Sequence, residues 1–377
     1  MPRARSRSLI ERLWQRPLPA RLWPLWAALT PAAALYAGAL AVRERWWRSH
    51  ASGAGVTTIS VGNLTVGGNG KTPFTLFLAS RLHAHRLAVA IISRGWGGTS
   101  DAAALVSDGR SILMSPRAAG DEPVMMAKSF AGPIAVARRR IDAARLLSAR
   151  GHFDVFILDD GFQHLRLRRD LNLLLVNAAR GFGNGWVLPA GPLRERRDGV
   201  ARADAIVLIH AGAAHQAALT AADLALPEQT PIVRASIRPR ALVHADAAGW
   251  HESPLALAGR RIVAVSGLAD PAGFHAMLGE LGATLVATLD FPDHHDYSPH
   301  DLENILSAAR RADQIVTTEK DLVKIERFPV PDISLYALRL EVSMDADDEA
   351  RLFDLIATRM RTLGASTSPR ATSNALN

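Results

Sequence analysis

From Val56 onward the chain alternates between short, continuously apolar runs and stretches with helical spacing. "TTISVGN" reads as a strand and "PFTLFLASRLHAH" as a helix. "LAVAIISRG" is a second strand, "DEPVMMAKSF" a helix, "PIAVA" a strand and "RRRIDAARLLSARG" a helix. "FDVFILDDG", "LNLLLVNA" and "DAIVLIH" follow as strands. Strands that are apolar throughout, separated by helices, predict a parallel sheet covered on both faces. A second unit of this kind starts near Arg261: strand "RIVAVSG", helix "PAGFHAMLGELG", strand "TLVATLDFPDH", helix "SPHDLENILSAARR" and strand "DQIVTTEKD". Between the units "PIVRASIRPRALVHA" is extended, as is "ISLYALRLEVS" near the end. The two are expected to pair as a two-stranded connector. The tail "GASTSPRATSNALN" reads as disordered.

The N-terminal region breaks this pattern. Residues 1–21 are rich in arginine. "LWPLWAALTPAAALYAGALAV", Leu22 to Val42, carries no charge, and "RERWWR" follows. About 20 apolar residues suffice to cross a bilayer. Pro24 and Pro31 interrupt the stretch, its alanines make it mildly hydrophobic, and both flanks are basic. A segment lying on the membrane surface, or dipping into it, is therefore expected. Trp14, Trp23, Trp26, Trp46 and Trp47 would sit at the interface, with arginines on anionic headgroups.

Composition adds three constraints. The chain has 377 residues, 48% hydrophobic and 21% charged, which is globular and long enough for two domains. It has no cysteine, which removes disulfides, thiolate metal sites and cysteine nucleophiles. The formal charge is +8, and only four of the 44 basic residues are lysine (Lys71, Lys128, Lys320 and Lys324). Positive charge suits an anionic membrane or a phosphorylated substrate. With no aromatic-interleaved basic stripe and no zinc-finger spacing, no nucleic-acid partner is expected.

The strongest chemical signal is "VGNLTVGGNGKTP", Val61 to Pro73. A strand, a glycine-rich turn and a helix beginning near Thr72 present free backbone N–H groups and a positive helix end. Gly67, Gly68, Asn69 and Gly70 would cradle phosphates, Lys71 would reach the β- and γ-phosphates of ATP, and Thr72 would ligate Mg²⁺. Thr65 stands where the usual loop has its first glycine. Val66 replaces the first lysine of the deviant-loop ATPases.

"FDVFILDDGFQH" ends an apolar strand in Asp159 and Asp160, the arrangement that sets a carboxylate near Mg²⁺. Adjacent carboxylates repel unless a cation compensates. "GDEP" puts Asp121 and Glu122 at a helix start. "FPDHHDY" offers Asp293, His294, His295 and Asp296, either as a metal site or, more simply, for acid–base work. "SRG" and "GPLRE" each bring an arginine, Arg94 and Arg194, to a strand-to-loop transition.

"VGNLTVGGNGKTP", "SRGWGG", "GDEP", "ILDDGFQH", "GPLRE", "FPDHHDY" and "TTEKD", seven motifs in register, resemble the tetraacyldisaccharide 4'-kinases, the lipid A 4'-kinases of Gram-negative bacteria. The likeness runs from about residue 10 to 330. Trp96 stands where tyrosine is more usual. The resemblance implies a P-loop kinase-like parallel sheet domain, a second, smaller α/β domain and an N-terminal membrane-associated helix. The expected division is 1–50 membrane-associated, 51–240 ATP-binding, 241–345 smaller domain with connector strands, and 346–377 helix and disordered tail.

It also implies ATP- and Mg²⁺-dependent phosphorylation of the 4'-hydroxyl of an acylated disaccharide 1-phosphate. The enzyme would be a monomer at the cytoplasmic face of the inner membrane. By resemblance Asp121 is the base that deprotonates the sugar hydroxyl and His294 its partner. Thr72, Glu122 and Asp160 are linked to Mg²⁺, and Asp159 lies beside nucleotide and metal. Arg94, Gln163 and Arg194 attend the substrate; Arg194 would hold either the lipid's 1-phosphate or the transferring phosphoryl. His164, His295 and Lys320 receive no assignment. The rival readings are a membrane-associated P-loop ATPase or GTPase switch, for which no N-K-x-D guanine reader is present, and a non-enzymatic anionic-lipid binder.

Overall fold

The computed structural model describes residues 9–15, 17–68, 70–211, 230–246, 249–328 and 334–367. A short helix α1 (Leu9–Leu13) precedes the long helix α2 (Trp23–His50). Then come β1 (Thr57–Gly62), α3 (Lys71–Ala84), β2 (Val89–Ser93), β3 (Ala104–Asp108), α4 (Pro116–Ala119) and α5 (Asp121–Ser129). β4 (Pro133–Val136), α6 (Arg140–Ser148), β5 (Val155–Leu158), β6 (Leu171–Asn177) and β7 (Ala205–Ala211) complete the first set. β8 (Ile232–Asp246) and β9 (Gly249–Ser253) lead to β10 (Arg261–Ser266), α7 (Ala272–Glu280), β11 (Thr284–Asp290) and α8 (Pro299–Ala309). β12 (Gln314–Thr318), α9 (Glu319–Ile325), β13 (Leu335–Ser343) and α10 (Ala346–Thr367) end the described chain.

All described strands join one sheet, in the order β11-β10-β12-β13-β8-β7-β6-β1-β5-β2-β4-β3, with β9 on β8. The expected connector is real. β8 and β13 pair antiparallel, Ala337 opposite Val243 and Val342 opposite Ile237. Each is parallel to its other neighbour, β7 and β12 respectively, so this pair joins two parallel sets. Only the outer strand β3 and the short β9 add further antiparallel pairs, and neither was foreseen.

The inner strands are apolar because both faces are covered. On one face Ile59, Val61, Ile91 and Ile157 meet Phe74, Leu78 and Leu82 of α3. On the other, Ala90, Ile92, Phe156 and Leu158 meet Ile141, Ala144 and Leu147 of α6. The alternation follows from the two-residue period of a strand.

Two expectations need correction. Pro24 and Pro31 do not interrupt the apolar segment. Pro24 sits in the first turn of α2, where no N–H is required. Pro31 lies inside the helix and deprives the Ala27 carbonyl of its donor, but the Thr30 hydroxyl donates to that oxygen at 2.8 Å. Ala20–His50 is thus one helical stretch, long and apolar enough by length and composition to cross a membrane. Secondly, "EKD" is not strand. β12 stops at Thr318, whose side chain caps the N-terminus of α9 by accepting from Asp321 N. The expected disordered tail begins as helix, since α10 runs to Thr367; residues 368–377 lie outside the described residues.

One flank of α2 packs on the body. Ala33 is fully buried, and Trp26, Leu29, Tyr36 and Ala37 cover Leu64, Phe162 and Leu174. The outer flank stays open: Leu35 is 78% exposed and Val42 71%.

At the end of β1 a Cβ on Gly62 would lie 2.6 Å from Phe162 Cβ and 2.8 Å from Phe162 N. Gly62→Ala is expected to destabilise the fold by about 1–3 kcal/mol through this overlap, read as a lower urea midpoint. Gly68→Ala, where nothing lies within 4 Å, is the control.

Candidate active site

The site forms at the carboxyl ends of the central strands, where α/β sheets open their ligand crevices. The chain leaving β1 enters the glycine loop. Gly67 and Gly70 both have positive φ, and Gly70 caps α3 in the left-handed conformation. A Cβ at Gly70 would overlap Ile237 Cδ1 at 2.2 Å, so the loop rests directly on β8. Asn69 lies outside the described residues. Thr65, in place of the first glycine, bridges to Leu193, and Arg194 N donates to Leu64 O at 2.7 Å. The loop is therefore stitched to the "GPLRE" segment.

Lys71 and Thr72 open α3. Lys71 Nζ donates to Asn63 Oδ1 at 3.2 Å and lies 3.7 Å from Asp160 Oδ1. β5 delivers Asp159 and Asp160 to the same place, and the sharp turn holds Asp160 at φ 47°. Arg194 Nη1 donates to both oxygens of Asp160, at 3.0 and 2.8 Å. Burial pushes the Asp160 carboxyl up, but Lys71 and Arg194 outweigh it and hold it below the usual range.

Asp159 makes no direct ion pair among the described residues, and Lys71 and Arg140 act on it only from a distance. It is buried, accepting from Thr75 Oγ1 at 3.0 Å and from Ser93 Oγ at 3.5 Å. Burial, then the charges of Glu122 and Asp160, push it up to about 7. The two neighbouring acids foreseen as one pair are thus different groups: one is neutralised by arginine and lysine, the other is starved of positive charge.

The second half of the chain completes the site. Asp121 opens α5 behind Gly120, whose φ is 91°. His294, itself at φ 58°, brings Nδ1 to 3.3 Å from Asp121 Oδ2. Helix α9 lies against α5. Lys324, 4% exposed, puts Nζ 3.5 Å from the same Asp121 oxygen and 3.2 Å from Asp321. Burial raises the Asp121 carboxyl, but the His294 hydrogen bond and the Lys324 charge overcome it, with a net lowering. Glu122 joins the two clusters: it acts on Asp159 and lies 3.9 Å from Lys320.

The remaining expected residues divide. Arg94 is exposed and stacks on Trp96 at 5.0 Å. Gln163 is turned inward, donating to Asn63 O at 2.7 Å and Glu195 Oε1 at 2.9 Å. The two histidines of "FPDHHDY" part company, because His295 binds Asp301 Oδ2 at 3.0 Å and stacks on Phe291. His164 is held neutral, lowered to about 3 by burial and by Arg140. Two groups were missed. Arg140, 5% exposed at the start of α6, is lowered to about 10 by burial although Asp160 pulls it upward. Its signal was a position just past a strand end, hidden in an "RRR" run. Lys324 was marked only by the rarity of lysine.

The donor set suits a small, hard dication: Asp159 is buried, Asp160 adjoins it, and the charge of Glu122 reaches it. Among the described residues no three His, Asp or Glu side chains form a metal cage. That fits Mg²⁺, which takes one or two carboxylates and shares its other positions with phosphate and water.

Comparison with known proteins follows this geometry. The family model described as tetraacyldisaccharide-1-P 4'-kinase matches residues 25–361. A tetraacyldisaccharide 4'-kinase of Geobacter metallireducens is 43% identical over 322 residues, 81% of this chain and 91% of the relative. Another, from an Anaeromyxobacter species, is 38% identical over 348 residues, 89% of this chain and 93% of the relative. The crystal structure of LpxK from Aquifex aeolicus in complex with ATP superposes with a TM-score of 0.73 at 31% identity, covering 89% of this chain and 99% of that one.

The Asp159 carboxyl titrates near 7 in the fold and near 4 unfolded, so its penalty on stability grows as pH rises between those values. Metal- and nucleotide-free Asp159→Asn is expected to gain Tm over the unaltered protein across that window and to hold the gain above pH ~7. Thermal melts in chelator check it; an equal difference at pH ~4 and ~8 would refute the buried-charge account.

Proposed function

The chain belongs to the tetraacyldisaccharide 4'-kinase family, and from that premise we propose how its own residues carry out the transfer. The enzyme phosphorylates the 4'-hydroxyl of a tetraacyl glucosamine disaccharide 1-phosphate with ATP, forming the lipid A precursor lipid IVA. The observation that carries the residue assignment is the 3.3 Å contact between Asp121 and His294, which are 173 residues apart and meet next to Gly97 of "SRGWGG".

In this reading Asp121 accepts the proton of the 4'-hydroxyl as that oxygen bonds to the γ-phosphorus. The bond from phosphorus to the β–γ bridging oxygen breaks, and ADP leaves. Lys71 and the backbone N–H groups at the start of α3 hold the phosphates. Thr72, Glu122 and Asp160 would hold Mg²⁺, with Asp159 behind them. When bound, the ion neutralises charge on the phosphate oxygens. His294 orients the Asp121 carboxylate. Arg194, already clamped on Asp160, keeps that acid ionised and in place; Arg94 faces the approach of the sugar, and Gln163 braces the loop from behind through Asn63 and Glu195. Positioning and charge neutralisation supply most of the rate.

Membership of the kinase family over residues 25–361 favours phosphoryl transfer to a sugar hydroxyl over the switch alternative. The lipid acceptor also accounts for α2. Its outer flank is proposed to enter the cytoplasmic leaflet of the inner membrane, with flanking arginines on anionic lipids.

Kinase assay with labelled ATP and the disaccharide 1-phosphate tests the assignment. Asp121→Ala and His294→Ala are each expected to lower kcat by about 10²–10⁴-fold, with a double variant no worse than the poorer single one. Near-normal rates in both singles would sink the dyad. For the membrane reading, Leu35→Asp with Val42→Asp should abolish co-sedimentation with anionic vesicles at unchanged Tm; undiminished binding would count against it.

A further inference from the structure

Glu44 is the one acidic residue of α2, and nothing in the transfer as described so far needs it. Its carboxylate accepts from Arg202 Nη1 at 3.0 Å. The other arm of that guanidinium, Nη2, donates to Glu195 Oε2 at 2.6 Å. Glu195, 6% exposed, accepts through its second oxygen from Gln163 Nε2 at 2.9 Å, and the same amide nitrogen donates to Asn63 O at 2.7 Å. Both partners of that nitrogen can only accept, so the amide has one orientation and both its hydrogens are spent. Asn63, fully buried just after β1, donates from Nδ2 to Thr65 O at 2.8 Å and accepts at Oδ1 from Lys71 Nζ at 3.2 Å. An unbroken line of hydrogen bonds thus runs from α2 to the lysine of the glycine loop.

We propose that Arg202 is a positioning residue: clamped between Glu44 and Glu195, it holds the loop after β1, and with it Lys71, in the setting that receives ATP, and it ties that setting to the seat of α2. The proposal rests on the reading of Lys71 as a phosphate ligand. A planar fork can grip two carboxylates at once, which a single ammonium on a flexible stem does less well. The guanidinium also lies over the ring of Phe162, the neighbour of Gln163, at 4.9 Å. Arg169 cannot stand in for it. That cation is close enough to feel both acids, but its hydrogen bonds go to His164 O, Leu167 O and Asn172 Oδ1. Without Arg202, Glu195 would keep only Gln163 among the described residues. A buried carboxylate that loses its cation is strongly destabilised where it stands, so it would turn toward water and take the amide of Gln163 with it.

The test is calorimetric titration of a non-hydrolysable ATP analogue with Mg²⁺ into the full-length protein in detergent micelles, without the disaccharide. Arg202→Met and Gln163→Leu are each expected to weaken binding about tenfold, with the double variant no more than about twofold beyond the poorer single one, because both break the same line. Two unrelated losses of packing would instead add. In the kinase assay of Arg202→Met the KM for ATP should rise in step, with the KM for the disaccharide within about twofold. Glu44→Leu spares the buried Arg202–Glu195 pair and keeps the test decisive where Arg202→Met does not fold; it should weaken binding about threefold. Unchanged affinity in Arg202→Met or in Glu44→Leu, or effects of Arg202→Met and Gln163→Leu that add in full, overturns the proposal. Lys71→Ala separates the two readings. Binding that survives it removes the phosphate-ligand reading, whereas binding lost there and unchanged in Arg202→Met removes the role of Arg202 alone.

Discussion

Three acidic side chains crowd the carboxyl edge of the sheet, and one of them is wholly buried. Asp159, Asp160 and Glu122 repel one another where Asp159 is buried and the other two are partly exposed, and the cations arranged around them offset that repulsion. Arg194 and Lys71 neutralise Asp160. Arg140 is buried within reach of both aspartates, and Lys320 lies near Glu122. Asp159 remains in deficit. A divalent cation held at this edge would offset the charge on Asp159 that the side chains around it leave uncompensated. The same argument explains the strained Asp160 backbone, since a relaxed turn would move its carboxylate off the guanidinium.

The second requirement is that Asp121, the proposed base, stand close to this charged edge without being captured by it. The long β8 strand lies on β7 of one parallel set and on β13 of the other, so the second set is built onto the same sheet. Helix α9 and the loop bearing His294 then reach back to α5. Asp121 takes its partners from this second set, whereas Asp160 takes its partners from the first. Two adjacent carboxylate systems are tuned independently because different parts of the chain supply their cations.

Much of this was legible in the sequence because the chemistry sits at strand ends. Lys71 and Thr72 follow β1, and Asp159 and Asp160 follow β5, so apolar runs followed by polar residues marked them. The antiparallel connector was also visible, as two extended segments without helical spacing. What escaped depends on three-dimensional neighbours. Whether Pro31 breaks a helix turned on one hydroxyl, that of Thr30, and no periodicity reports it. Arg140 was one arginine among three, and only burial singles it out. The opposite fates of His294 and His295 are set by a single left-handed residue between a strand and a helix cap. The inward turn of Gln163, whose amide donates to Asn63 O and Glu195 Oε1, likewise rests on neighbours that no spacing announces.

The Tyr36 hydroxyl of α2 donates to the backbone carbonyl of Arg194 at 2.8 Å, and Glu44 of the same helix pairs with Arg202 at 3.0 Å. The arginine whose side chain grips Asp160 is thus held from behind by the apolar helix. On the proposed membrane reading, a helix moored behind Arg194 at two points would be a gauge of height rather than a tether: it would set how far above the acyl chains the transferred phosphorus lies, and a headgroup could react only with its hydroxyl at that level.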